Sequence, residues 1–441
     1  MNALTRIIEA KLATQSPGLA VRLPGGQHVG RPEAHVRLEL GGWTPVAHVV
    51  SGQIGKLARD WVEGRIELHG SLRDVARSAA GLVAGNPAAG HRAAGLGGLA
   101  GPLNPIAWWR ALQHLGRSWA RHTRKADARQ VQFHYDVSDA FYALWLDPRR
   151  VYSCAYWAEG VADLAQAQEA KLEHICRKLQ LREGERFLDV GAGWGGLLLW
   201  AAEHYGVRAT GITLSKNQHA HVQRLIDARG LAGRVRIELR DYRELPDREP
   251  FDKIASVGMF EHVGRAQLPA YFAKLQRLLV PGGLLLNHGI TAAGTGNTQL
   301  GAGIGDFIER YIFPGGELLH LSFVLATMAE AGWEALDVEN LRPHYARTLW
   351  AWSDALEARL ADARGLTGEP TLRAYRLYLA GSAVAFERGW MSLHQVLASK
   401  PSGDIEAGAM PGAQSVYPFT RDHLYARSRC STSSSPKPPA T

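Results

Sequence analysis

Cysteine is scarce in this sequence, which contains three in 441 residues. Cys154, Cys176 and Cys430 are far apart, so they form neither a disulfide framework nor a Cys-x-x-Cys metal site. We therefore predict no bound metal and a reducing, cytoplasmic setting. Cys176 falls on the apolar face of a predicted helix and Cys430 lies in a polar tail, which leaves Cys154 for closer attention.

Long apolar runs are also absent. The apolar fraction is 46%, but no stretch approaches the roughly 20 uninterrupted apolar residues of a membrane span. The first residues, MNALTRIIEAKLATQSPG, lack the apolar core of a signal peptide, so we expect no secretory signal. The formal net charge of +8 favours anionic partners, although composition alone explains a basic chain equally well.

The distribution of apolar and turn residues divides the chain into four parts. Residues 1–80 carry short apolar runs and indicate a small α+β unit. Residues 81–130 join a Gly- and Ala-rich linker to a basic, tryptophan-rich helix, which either lies on an anionic membrane surface or packs on the protein. Residues 131–401 form an α/β domain, and residues 402–441 form an extension with a disordered tail.

Strands and helices alternate within the third part, which predicts a doubly wound, mainly parallel sheet. The predicted strands lie near 186–191, 207–212, 235–239, 252–257, 283–288 and 394–399. The predicted helices begin near Leu164, Gly195, Ser215 and Arg265, and further ones span 320–332, 344–363 and 370–388. This order of elements is typical of a Rossmann-like fold.

The segment RFLDVGAGWGG, 186–196, places glycines directly after the first of these strands. Gly191, Gly193 and Gly196 let the backbone turn tightly and approach a ligand. Dinucleotide sites share this spacing, but they place an acid at the end of the second strand. That stretch reads RATGITLSKNQ, 208–218, and contains no carboxylate. The polar side chains available there are those of Thr213, Ser215 and Gln218.

With Asp189 before the glycines, the segment instead resembles the first motif of S-adenosylmethionine (SAM) methyltransferases. More broadly, the chain resembles the cyclopropane-fatty-acyl-phospholipid synthase family, which includes the mycolic acid cyclopropane synthases. The matching stretches are HYDVSDAFYALWLD (134–147), YSCAYW (152–157), LDVGAGWGG (188–196), GITLSKNQ (211–218), SVGMFEHVG (256–264), YIFPGG (311–316) and HYARTLWAW (344–352). The resemblance implies a class I SAM-dependent methyltransferase fold for 131–401 and a lipid-associated domain for 1–80.

The resemblance also implies two ligands, SAM and bicarbonate. The implied SAM-binding residues are Tyr152, Ser153, Asp189, Gly191, Gly193, Gly195, Thr213, Ser215, Gln218, Asp241 and Tyr242. The implied bicarbonate-binding groups are Cys154, Glu261, His288, Tyr345 and the backbone amide of Ile290. The chain departs from the family pattern at Ala192, where cysteine is frequent, and at Gly289, where threonine is frequent; neither change removes a functional side chain.

These residue types suit the implied chemistry. SAM is a strong methyl donor and an alkene a weak nucleophile, so the protein contributes mainly proximity and exclusion of water. Attack by a cis double bond gives a carbocation, and loss of a proton from the new methyl group to bicarbonate closes a three-membered ring. The aromatic residues expected to stabilise the cation are Tyr135, Tyr156, Trp157 and Phe260, and those expected along the acyl channel are Phe141 and Tyr311.

Cys154 is interpreted as a weak hydrogen-bonding group and not as a nucleophile, because SAM already carries the leaving group and a neighbouring Glu261 would raise the thiol pKa. The leading hypothesis is an enzyme that methylenates unsaturated acyl chains of phospholipids. It would be peripheral at the inner membrane face and, by family resemblance, homodimeric, without nucleic acid. Alternatives are a related methyltransferase giving methyl-branched or methylene acyl products, one acting on a small amine, or a lipid-binding protein with an inactive transferase fold.

Overall fold

The computed structural model describes residues 3–83, 87, 139–295, 300–402, 417–418 and 420–425. The predicted basic tryptophan-rich helix, Tyr135 and the disordered tail lie outside these residues. Within them, no helix combines the length and the hydropathy needed to cross a membrane. The same residues contain no group of three or more His, Cys, Asp or Glu side chains that could hold a metal ion.

Helices and strands alternate along most of the described chain. The helices are α1 (Ala3–Gln15), α2 (Trp43–Ser51), α3 (Ile54–Val62), α4 (Leu72–Gly81), α5 (Asp139–Ala143), α6 (Leu164–Lys178), α7 (Gly196–Tyr205), α8 (Lys216–Ala228), α9 (Leu268–Arg277), α10 (Ile304–Tyr311), α11 (Leu321–Glu330), α12 (Arg342–Glu357), α13 (Leu360–Thr367), α14 (Glu369–Glu387) and α15 (Asp422–Tyr425). The strands are β1 (Leu19–Arg22), β2 (His28–Val29), β3 (Val36–Leu40), β4 (Ile66–His69), β5 (Arg186–Val190), β6 (Arg208–Thr213), β7 (Val235–Leu239), β8 (Phe251–Val257), β9 (Leu279–Ala292), β10 (Leu319–His320), β11 (Glu334–Asn340) and β12 (Met391–Ser399).

The large sheet has the strand order β11-β12-β9-β8-β5-β6-β7. Strands β5 to β9 pair in parallel, whereas β12 runs antiparallel to β9 and to β11. The order reverses beside β5, because β6 and β7 follow on one side and β8 and β9 on the other. Ligands of such sheets bind at the carboxyl ends of the strands at this point. The predicted α/β class I methyltransferase fold is confirmed.

The N-terminal unit, residues 3–83, forms a four-stranded sheet with the order β2-β1-β3-β4. In β3, Val36, Leu38 and Leu40 are buried, and Arg37 between them is exposed. This alternation is that of a strand with one face in a core. The unit is therefore a small α+β structure, with helices α1 to α4 around the sheet.

The N-terminal unit shares one apolar core with the α/β domain, described over 139–295 and 300–402 and called the catalytic domain below because it contains the predicted catalytic residues. Helix α3 packs on α10 and α14, and α4 packs on α14. The Gly55 amide donates a hydrogen bond to the Ala302 carbonyl at 3.0 Å, and a Cβ atom on Gly55 would lie 1.8 Å from the Gly303 carbonyl oxygen. The Arg373 guanidinium donates to the Trp61 carbonyl at 2.9 Å. These contacts fix the unit against the catalytic domain.

Most predicted elements of the catalytic domain occur at their predicted positions. Helices α5 and α10 and the short strand β10 were not predicted. The single helix predicted over 344–363 is two helices, because the backbone leaves the helical region at Arg359, where φ is −126°. Strand β11 was not predicted, since its sequence EALDVEN is largely polar and only partly buried. Strand β11 pairs with the edge of β12, and one face of β11 is exposed to solvent.

Candidate active site

Two cavities meet at the carboxyl edge of the large sheet. The smaller, of about 180 Å³, is lined by the glycine segment after β5 and by the ends of β6 and β8. The larger, of about 270 Å³, lies beyond β9 and is lined mainly by apolar side chains of the N-terminal unit and of α10, α12 and α14. Tyr152, Ser153, Gly258 and His262 line both cavities. A ligand in one cavity therefore lies next to a ligand in the other.

The glycine segment brings backbone to the smaller cavity. Gly191 and Gly193 have φ angles of 81° and 54°, in the left-handed region that favours glycine. No described atom lies within 4 Å of a Cβ built on Gly193, so its backbone faces open space. Gly195, predicted to bind SAM, does not line the cavity. A Cβ atom on Gly195 would instead lie 3.0 Å from a methyl group of Val222, so this glycine allows α7 and α8 to pack closely.

The first turn of α8, directly after β6, supplies a side-chain amide to the smaller cavity. The Thr213 hydroxyl donates to Gln218 Oε1 at 2.8 Å, and Gln218 Nε2 is buried without a hydrogen-bond partner among the described residues. That amide nitrogen is therefore available to a ligand. Ser215, predicted to bind SAM, does not line the cavity; its hydroxyl caps α8 by accepting from the Gln218 backbone amide at 3.3 Å.

Asp241 and Tyr242 line the same cavity beside the end of β7. The Asp241 carboxylate accepts a hydrogen bond from Arg243 Nε at 2.8 Å, which fixes its orientation. The Tyr242 ring packs edge-on against Tyr271 with centroids 5.1 Å apart. Both predicted residues are therefore held in place at the cavity wall.

Lys171 is a cavity residue that the sequence interpretation missed. It is 1% exposed, and its Nζ donates to the Ser153 hydroxyl at 2.8 Å. Burial lowers the Lys171 pKa to about 8, whereas the neighbouring Cys154, Asp147 and Asp189 act to raise it. Burial also raises the pKa of Asp189 to about 7, and the lysine opposes that rise. The only signal in the sequence was its position on the buried face of α6.

A polar cluster lies in the wall of the larger cavity, formed by Cys154, Glu261, His288, Ile290 and Tyr345. Glu261 Oε1 accepts a hydrogen bond from the Ile290 amide at 2.6 Å. Glu261 Oε2 is buried and has no hydrogen-bond partner in the part of the chain that the structure describes. Burial raises the Glu261 pKa to about 7, although the Ile290 amide favours the charged form.

His288 lines the same cavity as Glu261 and is a neutral imidazole. Burial lowers the His288 pKa well below its usual range, and the charges of Lys171 and Lys178 add to that shift. In the assigned amide orientation, Gln395 Nε2 donates to His288 Nδ1 at 3.2 Å. The ring proton therefore lies on Nε2, which is buried and has no partner within the described ranges. The cluster thus offers one acceptor, Glu261 Oε2, and one donor, His288 Nε2–H.

The Cys154 thiol is neutral in this environment. The residue is fully buried, and burial raises the thiol pKa well above its usual range. The sequence interpretation had attributed such a rise to Glu261; the structure gives burial as the cause, with Lys171 opposing it. The thiol donates to the Ala155 carbonyl at 3.2 Å.

Among the described residues, none of the aromatic side chains predicted around the substrate lines the larger cavity. Tyr156 stacks between His174 and His344, with ring centroids 4.3 and 4.7 Å away. Trp157 lies under the Arg347 guanidinium at 4.1 Å. The other predicted aromatic residues that do not line the larger cavity are Phe141, Phe260 and Tyr311. The aromatic residues that do line it are Trp61, Tyr152, Phe307, Phe313, Tyr345, Tyr378, Phe386 and Trp390.

Comparison with known proteins identifies similar methyltransferases and cyclopropane synthases. The probable fatty acid methyltransferase of Pseudomonas putida is 50% identical over 304 residues, which are 69% of this chain and 75% of that protein. The structure of the cyclopropane synthase MmaA2 from Mycobacterium tuberculosis is similar with a TM-score of 0.60 and 36% identity, over 62% of this chain and 98% of that one. The structure of the mycolic acid cyclopropane synthase CmaA1, complexed with SAH and CTAB, is similar with a TM-score of 0.59 and 38% identity. This match covers 62% of this chain and 98% of that one.

A sequence profile described as mycolic acid cyclopropane synthetase matches residues 122–396. The matched range contains the glycine segment, Lys171 and the whole polar cluster, whereas the N-terminal unit precedes it. The match extends over more than half of the chain. The protein is therefore a SAM-dependent methyltransferase and belongs to the mycolic acid cyclopropane synthetase family.

Proposed function

We propose that this enzyme transfers a methylene group from SAM to the cis double bond of unsaturated acyl chains in membrane phospholipids. The product is a cyclopropane fatty acid, and bicarbonate is the base. The observation that carries the proposal is the buried polar cluster, which lies in the wall of an apolar cavity and next to the glycine segment. The names of the relatives, a fatty acid methyltransferase and cyclopropane synthases, support an acyl substrate.

The residues of the smaller cavity fit SAM. Gln218 Nε2 is a buried donor without a partner among the described residues, and the Gly193 backbone is open to the cavity. The hydroxyl of Ser153 and the ammonium of Lys171 can donate hydrogen bonds to the carboxylate of SAM. When bound, SAM supplies an electrophilic methyl group on a sulfonium. The task of these residues is to hold the cofactor with that group toward the larger cavity, which Tyr152 and Ser153 also line.

The polar cluster fits bicarbonate. Among the described residues, a buried acceptor without a partner, Glu261 Oε2, and a buried donor without one, His288 Nε2–H, match an anion that carries both a hydroxyl group and negatively charged oxygens. The Tyr345 ring and the Cys154 thiol complete the surroundings. When bound, bicarbonate supplies a base that is a poor nucleophile toward a cation.

The chain's own groups protect a cationic intermediate in two ways. The apolar walls of the larger cavity exclude water, which would otherwise add to the cation. Burial keeps Cys154 as a neutral thiol, and the neutral thiol is a far weaker nucleophile than the thiolate. A buried cysteine can therefore lie beside the reaction without being alkylated.

The alternative product is a methyl-branched or methylene acyl chain, which the name of the Pseudomonas putida relative favours. A methylene product would require a hydride shift that moves the positive charge to the methyl-bearing carbon, followed by loss of a proton from the transferred methyl group. A saturated methyl branch would in addition require hydride from a nicotinamide-type reductant. A small amine is a poorer candidate because the larger cavity is mainly apolar. The proposal puts the enzyme at the cytoplasmic face of the membrane as a peripheral protein, where phospholipid acyl chains are its substrate.

The test is incubation of the protein with SAM, bicarbonate and vesicles of dioleoyl phosphatidylglycerol, followed by mass spectrometry of the acyl chains. The expected result is a mass gain of one CH₂ per modified chain. Glu261→Gln serves as the control that binds SAM but forms little product. A wild-type protein that binds SAM and leaves every acyl chain unchanged would contradict the proposal.

A further inference from the structure

The larger cavity does not end within the catalytic domain. It extends between α3, α10 and α14 into the interior of the N-terminal unit, whose sheet and helices form its remaining wall. Residues of that wall include Leu19, Val36, Leu38, Leu57 and Trp61. Every described N-terminal residue that lines the cavity is apolar or glycine. The ionisable groups that line the cavity belong to the catalytic domain: Glu261, His262 and His288 lie at the polar cluster, and Glu309 lies on α10.

This interior space is unusual for a unit of about 80 residues, because small cores normally pack at the density of organic crystals. Space within an apolar core forfeits dispersion contacts and destabilises the fold. Helix α3 nevertheless presents Ile54, Leu57, Ala58 and Trp61 to the cavity, a stripe with helical spacing. An apolar cavity of this kind binds hydrocarbon and disfavours water.

We propose that the interior of the N-terminal unit binds the methyl-terminal segment of the acyl substrate. The unit would then determine how much hydrocarbon can extend beyond the double bond that lies at the polar cluster. This inference rests on the proposed function, since it concerns the same acyl chain. Its occupant is a single unbranched hydrocarbon tail, because the cavity continues from the reaction site and its N-terminal wall offers no charged group among the described residues.

The fixed position of the N-terminal unit makes such a length limit physically effective. Trp61 lines the cavity, and its carbonyl accepts a hydrogen bond from Arg373 of α14. Gly55 lies so close to Gly303 that even a methyl group would overlap it. The N-terminal wall is therefore held at a set distance from Glu261, so a longer tail cannot be accommodated by simple displacement of the unit.

The test compares two identical substitutions in the same core. Val36 and Val49 are both 1% exposed, but Val36 lines the cavity and Val49 does not. Val36→Phe should reduce kcat/KM for oleoyl vesicles about tenfold or more relative to myristoleoyl vesicles, whose chains have the same double-bond position and a shorter methyl end. Val49→Phe should leave that ratio at the wild-type value. Equal ratios in the two folded variants would overturn the inference.

A photocrosslinking measurement on the unmodified chain is independent of any variant. The probe is a vesicle phospholipid, and in a second arm the free acid, whose oleoyl-like chain carries a diazirine at its methyl end. Adducts on peptides within residues 19–82 are expected with whichever of the two probes, the phospholipid or the free acid, is a substrate of the enzyme. Adducts confined to 139–402 would overturn the inference. If methylated product forms and the adducts are confined to 139–402, this inference alone is wrong. If neither product nor any adduct forms, the proposed function is contradicted as well.

Discussion

The Glu261 carboxylate accepts a hydrogen bond from the backbone amide of Ile290 at 2.6 Å, which joins the turn after β8 to strand β9. Gly289 makes this approach possible, because a Cβ there would lie 2.0 Å from the Phe260 ring and 2.9 Å from Glu261 Oε1. The glycine that departs from the family pattern therefore has a local structural role. The bond holds one carboxylate oxygen and leaves Oε2 directed to the polar cluster.

Replacing the acid tests whether its charge is needed. Glu261→Gln keeps the shape and the acceptor oxygen for Ile290 but loses the negative charge. We expect kcat to fall by about 100-fold or more, the range typical of a group that governs proton transfer. SAM affinity should not change, because Glu261 does not line the smaller cavity. Calorimetric titration with SAM and single-turnover product analysis measure the two quantities. Near-normal turnover of this variant contradicts the assigned role.

The pH dependence follows from the burial of the same carboxyl group. Burial raises the Glu261 pKa to about 7, so the group gains a proton as the pH falls through that value. Loss of the carboxylate removes the acceptor, and kcat/KM should fall about tenfold for each pH unit below the pKa. The profile is measured at constant bicarbonate concentration, with SAM affinity followed over the same range because Asp189 titrates nearby. A wild-type acidic limb that persists in Glu261→Gln assigns the titration to another group.

Cys154 should be replaceable. Since the neutral thiol acts only as a weak hydrogen-bonding group, Cys154→Ser should retain activity within about tenfold of the wild type. Cys176→Ser is the matched control, because Cys176 is equally buried and does not line either cavity. Turnover and SAM affinity of both variants provide the comparison. A folded Cys154→Ser protein with normal SAM affinity and no turnover would restore the case for a nucleophile.

Lys171 should contribute to cofactor binding. Its ammonium donates to the Ser153 hydroxyl at the wall of the smaller cavity, so Lys171→Met removes both a charge and the bond that orients Ser153. Hydrogen bonds to charged groups correspond to roughly a tenfold or greater rise in the SAM dissociation constant. Lys253→Met is the control, because the Lys253 side chain is also largely buried but lies near the amino end of β8 and does not line the smaller cavity. Equal effects of the two substitutions would show that Lys171 has a structural role only.

The parallel strands were predictable from the sequence because each is a short apolar run bounded by turn residues, as at Phe187–Val190 before Gly191. The polar cluster was predictable only through the family resemblance, since no local pattern relates Glu261 to a residue as distant as Tyr345. Lys171 was missed because a lysine on a helix usually indicates a solvated face. Its burial depends on Ser153 and on two carboxylates that lie elsewhere in the chain.

The extension of the cavity into the N-terminal unit could not be predicted for a different reason. Alternating apolar residues such as Val36 and Leu38 indicate a buried face, whether that face packs against other side chains or against a ligand. Only the relative positions of α3, α10 and α14 distinguish the two cases. The sequence therefore identified the α+β unit but not its relation to the substrate.

The most direct measurement of the central claim uses SAM with a ¹³C-labelled methyl group and vesicles of dioleoyl phosphatidylglycerol. Carbon-detected NMR of the extracted lipid reports the chemical state of the transferred carbon. The account predicts that this carbon is a CH₂ within a three-membered ring, with its upfield ring protons, in the wild type and only in traces with Glu261→Gln. A labelled methyl branch, an exocyclic methylene group or unlabelled lipid from SAM-competent protein would contradict it.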